Sequence, residues 1–109
     1  MASVVEQPDL ADVSLESALQ ALADETRLQI VRELANSPVA CSCGSIDVCV
    51  SKATRSHHFK TLREAGITHT EIFGTKRLVT LRREEFDARF PGLLDAVLAP
   101  APGPAPALR

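Results

Sequence analysis

The sequence predicts a mainly α-helical domain with a small β-hairpin, in the order α-α-α-α-β-β-α. Up to Gly66, apolar residues recur at helical spacing behind residues that cap the starts of helices. Two short alternating segments then follow, joined by Gly74-Thr75, as expected of a hairpin with a two-residue turn. A last apolar segment returns to helical spacing. At 109 residues the chain is long enough for one domain.

Two helices that meet at an angle are predicted in the N-terminal half. Residues 1–13 are polar and are expected to form a flexible arm. Ser14 and Asp24 are placed to cap the two helices, because their side-chain oxygens accept hydrogen bonds from first-turn amides. Four apolar residues share one face of the first helix: Leu15, Ala18, Leu19 and Leu22. An Asn-Ser-Pro turn at 36–38 ends the second helix, and a short helix is predicted within 43–49.

The fourth predicted helix covers 52–65 and is rich in hydrogen-bond donors. Ser51 provides its N-cap, and Gly66 can adopt the left-handed conformation that ends a helix. Phe59 and Leu62 form a narrow apolar side, and polar and basic residues occupy the rest. Such a helix suits insertion into a nucleic-acid groove, but a solvated amphipathic helix has the same pattern.

The two predicted strands, 68–73 and 76–82, place Val79 towards the domain, with Lys76 and Arg77 at an exposed tip.

The final helical segment, 83–98, is interrupted by Pro-Gly and has more apolar residues than a small monomer can bury. This apolar surface favours a helix that packs against the same helix of a second subunit in a homodimer. The alternative is that the helix packs on its own domain. The domain is thus predicted over 14–98. A Pro/Ala tail at 99–109 is expected to be disordered.

The net charge of −2 conceals a basic block. Residues 51–83 contain eight Lys or Arg and two Glu, which gives +6 and leaves −8 for the remainder. A basic helix followed at once by a basic hairpin predicts a winged helix-turn-helix. The helix would enter the major groove of double-stranded DNA, and the hairpin tip would contact phosphate or the minor groove.

Other classes of protein are disfavoured. No apolar run approaches the roughly 18 residues that span a membrane. The N-terminus lacks the pattern of a signal peptide, so we expect a cytoplasmic location with no membrane partner. The sequence shows no nucleophile–base pairing and no Gly-rich phosphate loop, so we expect neither enzymatic activity nor a required cofactor.

Two segments, ALADETRLQIVREL at Ala21–Leu34 and SHHFKTLREAGI at Ser56–Ile67, resemble the arsenic-repressor (ArsR/SmtB) family of winged helix-turn-helix transcription regulators. The resemblance covers about residues 14–98. It implies a cytoplasmic homodimer, formed through the first and last helices, that binds a palindromic operator and represses transcription. In many family members an inducer, often a metal ion, weakens DNA binding.

The resemblance implies DNA contacts from the recognition helix and the wing. Arg55 of the helix is added as a residue that could reach a phosphate. The candidate DNA-binding residues are therefore Ser51, Lys52, Thr54, Arg55, His57, Lys60, Lys76 and Arg77. His57 stands where many relatives carry Arg, whose bidentate contact with guanine it cannot reproduce. His58 matches the family's usual packing histidine. Arg55 occupies a normally apolar position, from which it either reaches the phosphates or loosens the helix.

Three cysteines, Cys41, Cys43 and Cys49, precede the recognition helix. Arsenic- and antimony-sensing relatives carry a Cys-x-Cys pair in a comparable place, and thiolates suit soft ions. Their third thiol falls at the position of Ile46 here, so Cys49 would have to replace it. As(III), Cd(II), Zn(II) and Ni(II) are the candidate inducers. Structural cysteines without a ligand, and cysteines that respond to oxidation, are the alternatives.

The leading prediction is a sequence-specific DNA-binding transcriptional regulator, a repressor released from its operator by an inducer. A second hypothesis is a metal-independent regulator switched by thiol oxidation or by a protein partner. A third is a winged-helix interaction module that does not read DNA. The basic block argues against the third, because such a module has no need for it.

Overall fold

The computed structural model describes residues 2–4, 6–37, 41–42 and 51–99. Its elements follow in chain order: β1 Ala2–Val4, a 3-10 helix Leu10–Asp12, α1 Leu15–Leu22, α2 Glu25–Ala35, β2 Cys41–Ser42, α3 Lys52–Glu64, β3 Thr68–Phe73, β4 Lys76–Leu81, α4 Arg83–Arg89 and α5 Leu93–Leu98. The predicted short helix at 43–49 and residues 100–109 of the predicted tail lie outside the described residues. The mainly helical fold with a hairpin wing is confirmed, whereas the dimer stays a prediction.

The predicted helix starts are confirmed by their capping hydrogen bonds. Ser14, Asp24 and Ser51 each accept a bond from the backbone amide three residues further on, at 3.1, 2.9 and 3.2 Å respectively. These bonds satisfy amides that have no partner within the helix. At the other end of α3, Gly66 takes a φ of 74°, as predicted for a helix stop.

The wing is the antiparallel hairpin of β3 and β4. Phe73 pairs with Lys76 across the predicted turn, in which Gly74 has a φ of 62°. Val79 of β4 is buried in the core, as predicted, and β4 ends one residue earlier than expected. Two further strands flank the hairpin, so the sheet has the order β1-β3-β4-β2 with antiparallel pairing throughout.

The C-terminal helices pack on their own domain, and the prediction of an exposed apolar helix is wrong for its bulkiest residues. Phe86, Phe90 and Leu94 are all buried in the core. The two phenylalanine rings are tilted by 52° with their centroids 5.1 Å apart, and Gly92, whose φ is 82°, lies between α4 and α5. The bend at Gly92 allows both short helices to face the core, which one straight helix could not do.

The first helix leaves exposed two of the apolar residues that were predicted to share its buried face. Ala18, Ala21 and Leu22 are buried, whereas Leu15 and Leu19 are 47% and 46% exposed. The two leucines lie one turn apart and therefore share a face that points away from the core. This pair is the largest apolar feature that the described helices leave in solvent.

The flexible arm predicted for 1–13 is not what the described residues form. Leu10 and Val13 are buried, and Arg89 of α4 holds both of their carbonyl oxygens. Its Nε donates to Leu10 O and its Nη2 to Val13 O, each at 3.0 Å. The sequence lacks a strong periodic signal here because the segment is anchored by tertiary contacts with residues more than seventy positions away.

The same N-terminal segment runs beside the wing. The side-chain amide of Gln7 donates to Thr70 O at 3.1 Å and accepts from Thr70 N at 3.3 Å. In this way Gln7 imitates a strand residue on the edge of β3, in line with β1. Arg82 adds a hydrogen bond from its Nη1 to Pro8 O at 2.8 Å.

Gly66 combines a positive φ with a close approach, so we expect Gly66→Ala to be unusually destabilising. A Cβ there would lie 2.9 and 3.1 Å from the methyl carbons of Leu10 and 3.2 Å from Val13 Cγ2. Left-handed strain of about 1–2 kcal/mol and overpacking of about 1–3 kcal/mol would add, to roughly 2–5 kcal/mol.

The matched control is Gly92→Ala, which has a similar φ of 82° but no heavy atom within 4 Å of the new Cβ. It should lose only the strain, about 1–2 kcal/mol, in urea unfolding followed by circular dichroism. Equal losses for the two variants would contradict the packing of the N-terminal segment against the end of α3.

Candidate nucleic-acid interface

The recognition helix α3 has one anchored face and one free face. His58, Phe59 and Leu62 are buried on the inner side. The outer residues are exposed donors and small polar groups: Ser51, Lys52, Thr54, Ser56, His57 and Lys60. The predicted DNA-contacting residues of this helix, apart from Arg55, are therefore brought together on its solvent face.

The start of α3 is ordered by a side-chain cap and has no acidic residue in its first turn. The Ser51 hydroxyl accepts from Thr54 N at 3.2 Å and donates to Thr54 Oγ1 at 2.9 Å, which fixes both side chains. The first turn contains no acidic residue, and Lys52 opens the helix. The positive end of the helix dipole and this lysine therefore act in the same direction, as a DNA phosphate requires.

Arg55 lies on the inner side of α3, one turn before Phe59, and is half-buried. Its side chain forms no hydrogen bond or ion pair with any residue in the described ranges. The helix is regular from Lys52 to Glu64, so this arginine does not interrupt it.

The tip of the wing presents its two basic residues on opposite faces. Lys76 pairs across the hairpin with Phe73, and Arg77 pairs with Ile72. Cross-strand partners share a face, and successive residues alternate between faces. Both cations are exposed, as predicted, so the wing tip carries positive charge on either side.

The charge of the basic block is not all available to DNA. Arg82 binds Glu85 at 2.7 Å, and its hydrogen bond holds the pKa of that carboxyl below its usual range. Arg83 pairs with Asp87 at 3.1 Å and also with Asp95. These acids lie beyond residue 83, so the +6 counted over 51–83 overstates the charge near α3. The other six basic residues form no ion pair within the described part of the chain.

A polar cluster joins α3 to the two helices before it. Arg27 of α2 donates from Nε to Ala21 O at 2.6 Å and from Nη2 to Gln20 O at 3.2 Å. These carbonyls belong to the last turn of α1, where Gln20 O also accepts from the backbone amide of Ala23 at 3.2 Å. The third contact of the guanidinium joins Nη1 to His58 Nδ1 of α3 at 3.1 Å.

Asp24 completes this cluster. Its Oδ2 accepts from the Arg27 amide at 2.9 Å and lies 3.9 Å from His58 Nδ1. The amide bond is the main reason why the pKa of Asp24 is lowered, so the carboxylate is charged at neutral pH. His58 is 8% exposed, which agrees with the packing role that the resemblance implied.

No pattern in the sequence identifies this cluster. Its only local signal was the three-residue spacing of Asp24 and Arg27 at the start of α2. His58 lies 31 residues beyond Arg27, and periodicity says nothing about a pair so far apart.

The predicted metal ligands are mostly beyond the reach of the structure. Cys43 and Cys49 lie outside the described residues, and Cys41 is placed in β2, whose backbone pairs with Val79 of the wing. Within the described residues, no group of three His, Cys, Asp or Glu is arranged to hold a metal ion. No helix in these ranges is both long and apolar enough to cross a membrane.

Comparisons with known proteins agree with this geometry. A helix-turn-helix domain family matches residues 22–71, from the end of α1 into the wing. An uncharacterised HTH-type transcriptional regulator of Bacillus subtilis, YceK, is 44% identical over 80 residues, which are 72% of this chain and 80% of that protein.

Two further relatives carry regulatory names. The HTH-type transcriptional regulator Rv2034 of Mycobacterium tuberculosis is 40% identical over 68 residues, 62% of this chain and 64% of that protein. The arsenical resistance operon repressor of Bacillus subtilis is 34% identical over 71 residues, 64% of this chain and 68% of that protein. With the donor-rich helix and basic wing described above, these similarities establish that the chain belongs to the ArsR family of winged helix-turn-helix proteins and is a DNA-binding transcriptional regulator.

Proposed function

We propose that the chain represses transcription by binding a palindromic operator as a homodimer, with α3 in the major groove. The observation that carries this proposal is the division of α3 into a buried inner face and a donor-rich outer face. The proposed role is binding without catalysis. The proposed location is the cytoplasm, where bacterial-type operators are accessible and thiols stay reduced.

Within the groove, the outer residues of α3 would divide into two roles. Lys52 and Lys60 would contact phosphates, which positions the helix without reading sequence. Thr54 and His57 would face base edges, and each can form single hydrogen bonds there. Ser51 would lie at the N-terminal turn of α3, which would face a phosphate. The absence of an arginine at position 57 favours an operator that does not depend on one bidentate guanine contact at that site.

The wing would hold the flanking DNA. Because Lys76 and Arg77 emerge on opposite faces of the hairpin, the tip can place a cation against each strand bordering the minor groove. Arg55 is free of ion pairs in the described part of the chain and is half-buried. We propose that its stem packs beside Phe59 while its guanidinium extends to a phosphate.

A homodimer would cover the exposed leucines of α1. Leu15 and Leu19 form an apolar face beside the core, and the family resemblance expects the first helix at the dimer interface. On α5, Leu93 and Val97 are only partly buried and can contribute to the same surface. Two-fold symmetry would then present two copies of α3 to two half-sites.

An inducer at the cysteine segment is a further part of this proposal. Three thiols fit a soft ion such as As(III) or Cd(II) better than the borderline Zn(II) or Ni(II), and one relative is named an arsenical resistance operon repressor. The backbone of Cys41 pairs with Val79 of β4, so a change in this segment would reach the wing directly. Thiol oxidation would act at the same residues.

Replacing Lys52 and Lys60 with Ala should weaken binding to all DNA sequences, because both contacts are with phosphates. Binding to the protein's own promoter, followed by fluorescence anisotropy from 50 to 300 mM salt, should show a shallower dependence of log K on log salt. The slope should fall by about one for each lysine–phosphate contact removed.

The control is Arg32→Ala, because Arg32 is exposed on α2 outside the proposed DNA face. It should leave the slope unchanged. The proposed function would be contradicted if the parent protein did not bind promoter DNA, or if its affinity for that DNA did not change with salt concentration.

Replacing Leu15 and Leu19 with Glu should produce a monomer, because two carboxylates would be brought into an apolar interface. Sedimentation equilibrium should show a dimer for the parent and a monomer for the variant, and operator affinity should fall with the loss of the second half-site. The matched control, Leu78→Glu on the wing, should stay dimeric. A monomeric parent would contradict the dimer.

Replacing Cys41 and Cys43 with Ser should abolish release from the promoter by arsenite or Cd(II) while leaving operator affinity intact. A gel shift with these ions, and separately with peroxide, distinguishes a metal inducer from oxidation. An unchanged response in the variant would exclude the thiol site, and a parent that responds to peroxide alone would favour oxidation.

A further inference from the structure

The contact between Arg27 and His58 defines the protonation state of the histidine. Guanidinium nitrogen atoms only donate hydrogen bonds and stay charged at any physiological pH. At 3.1 Å from Arg27 Nη1, His58 Nδ1 must therefore accept, which places the single ring proton on Nε2. The arrangement in the structure is thus specific to neutral His58.

Protonation would remove this bond and place two cations against each other. The charged and titratable groups that face His58 in the described residues are Arg27 and Asp24, from α2, and His57 beside it on α3, at a ring distance of 6.1 Å. The α1 helix contributes backbone carbonyls to the cluster through Arg27.

Protonated His58 has an alternative partner. Asp24 Oδ2 lies 3.9 Å from Nδ1, too far for a hydrogen bond to the neutral ring but near enough to attract a charged one. An imidazolium drawn to Asp24 would displace Arg27, whose other bonds hold the last turn of α1. The same three side chains would therefore have two arrangements, one with neutral His58 bonded to Arg27 and one with protonated His58 drawn to Asp24.

We propose that His58 is a positioning residue that holds the recognition helix through Arg27 only when its ring is neutral, so that acidification weakens operator binding. This inference rests on the proposed function, because its readout is affinity for DNA. His58 is buried and on the inner face of α3, so it acts on DNA through the orientation of the helix.

The neighbouring histidine acts in the opposite direction. His57 is exposed on the outer face, where an added positive charge would strengthen attraction to phosphate. The third histidine, His69, pairs with Glu71 on the wing at 3.1 Å. A simple pH profile of the parent protein would mix all three effects, and histidine is the side chain that titrates in this range.

The test compares the full chain with its His58→Gln variant, in which His57 and His69 are unchanged, so their effects are common to both proteins. Promoter affinity is measured by anisotropy at pH 8 and pH 6, at constant ionic strength. We expect the ratio of Kd at pH 6 to Kd at pH 8 to be about two- to fourfold higher in the parent than in the variant, because only part of a histidine population has gained its proton by pH 6. His58→Gln keeps an oxygen acceptor but cannot gain a proton, so it removes this contribution to the ratio.

Equal ratios with and without His58 would overturn this inference while leaving the proposed function standing. No promoter binding by the parent at pH 8 would instead overturn the proposed function. A second measurement needs no substitution at position 58. Long-range ¹H–¹⁵N NMR of the parent at pH 8 should show a neutral His58 with its proton on Nε2, and a proton on Nδ1 would overturn the inference.

Discussion

The recognition helix has to be held through one face, because its other face must stay free for DNA. In this chain the apolar packing of that face is limited, because Phe59 and Leu62 are the two buried apolar side chains of α3. The Arg27–His58 contact supplements it with a directional bond. The two kinds of contact act on the same inner face of the helix, and the hydrogen bond is the one that depends on direction.

The wing and the N-terminal segment extend this constraint. Gly66 lets the chain turn from α3 into β3, and the space that it leaves is filled by Leu10 and Val13. Arg89 then ties the carbonyls of this segment to α4. The two DNA-facing elements thus share one support, and neither can move far without disturbing it.

Local signals in the sequence predicted most of the fold, and partners distant in sequence accounted for what was missed. Caps such as Ser51 and the turn at Gly74 depend on neighbours within four residues, so a pattern reveals them. Burial of Phe86 depends on how helices pack, and the bonds from Arg89 to Leu10 span 79 residues. At the site, composition indicated the exposed lysines, but the charge counted over 51–83 included Arg82, which Glu85 binds.

The buried cluster explains why an uncharged hydrogen-bond acceptor suits position 58. Arg27 is a cation on the inner side of the helix-turn-helix unit, and among the described residues Asp24 is the carboxylate beside Arg27 and His58. A permanent extra charge beside them at position 58 would lack a full counter-ion, whereas a neutral imidazole accepts a bond without adding charge. The inner face therefore requires a residue that is neutral at the pH of operator binding. The neutral imidazole of His58 supplies that acceptor.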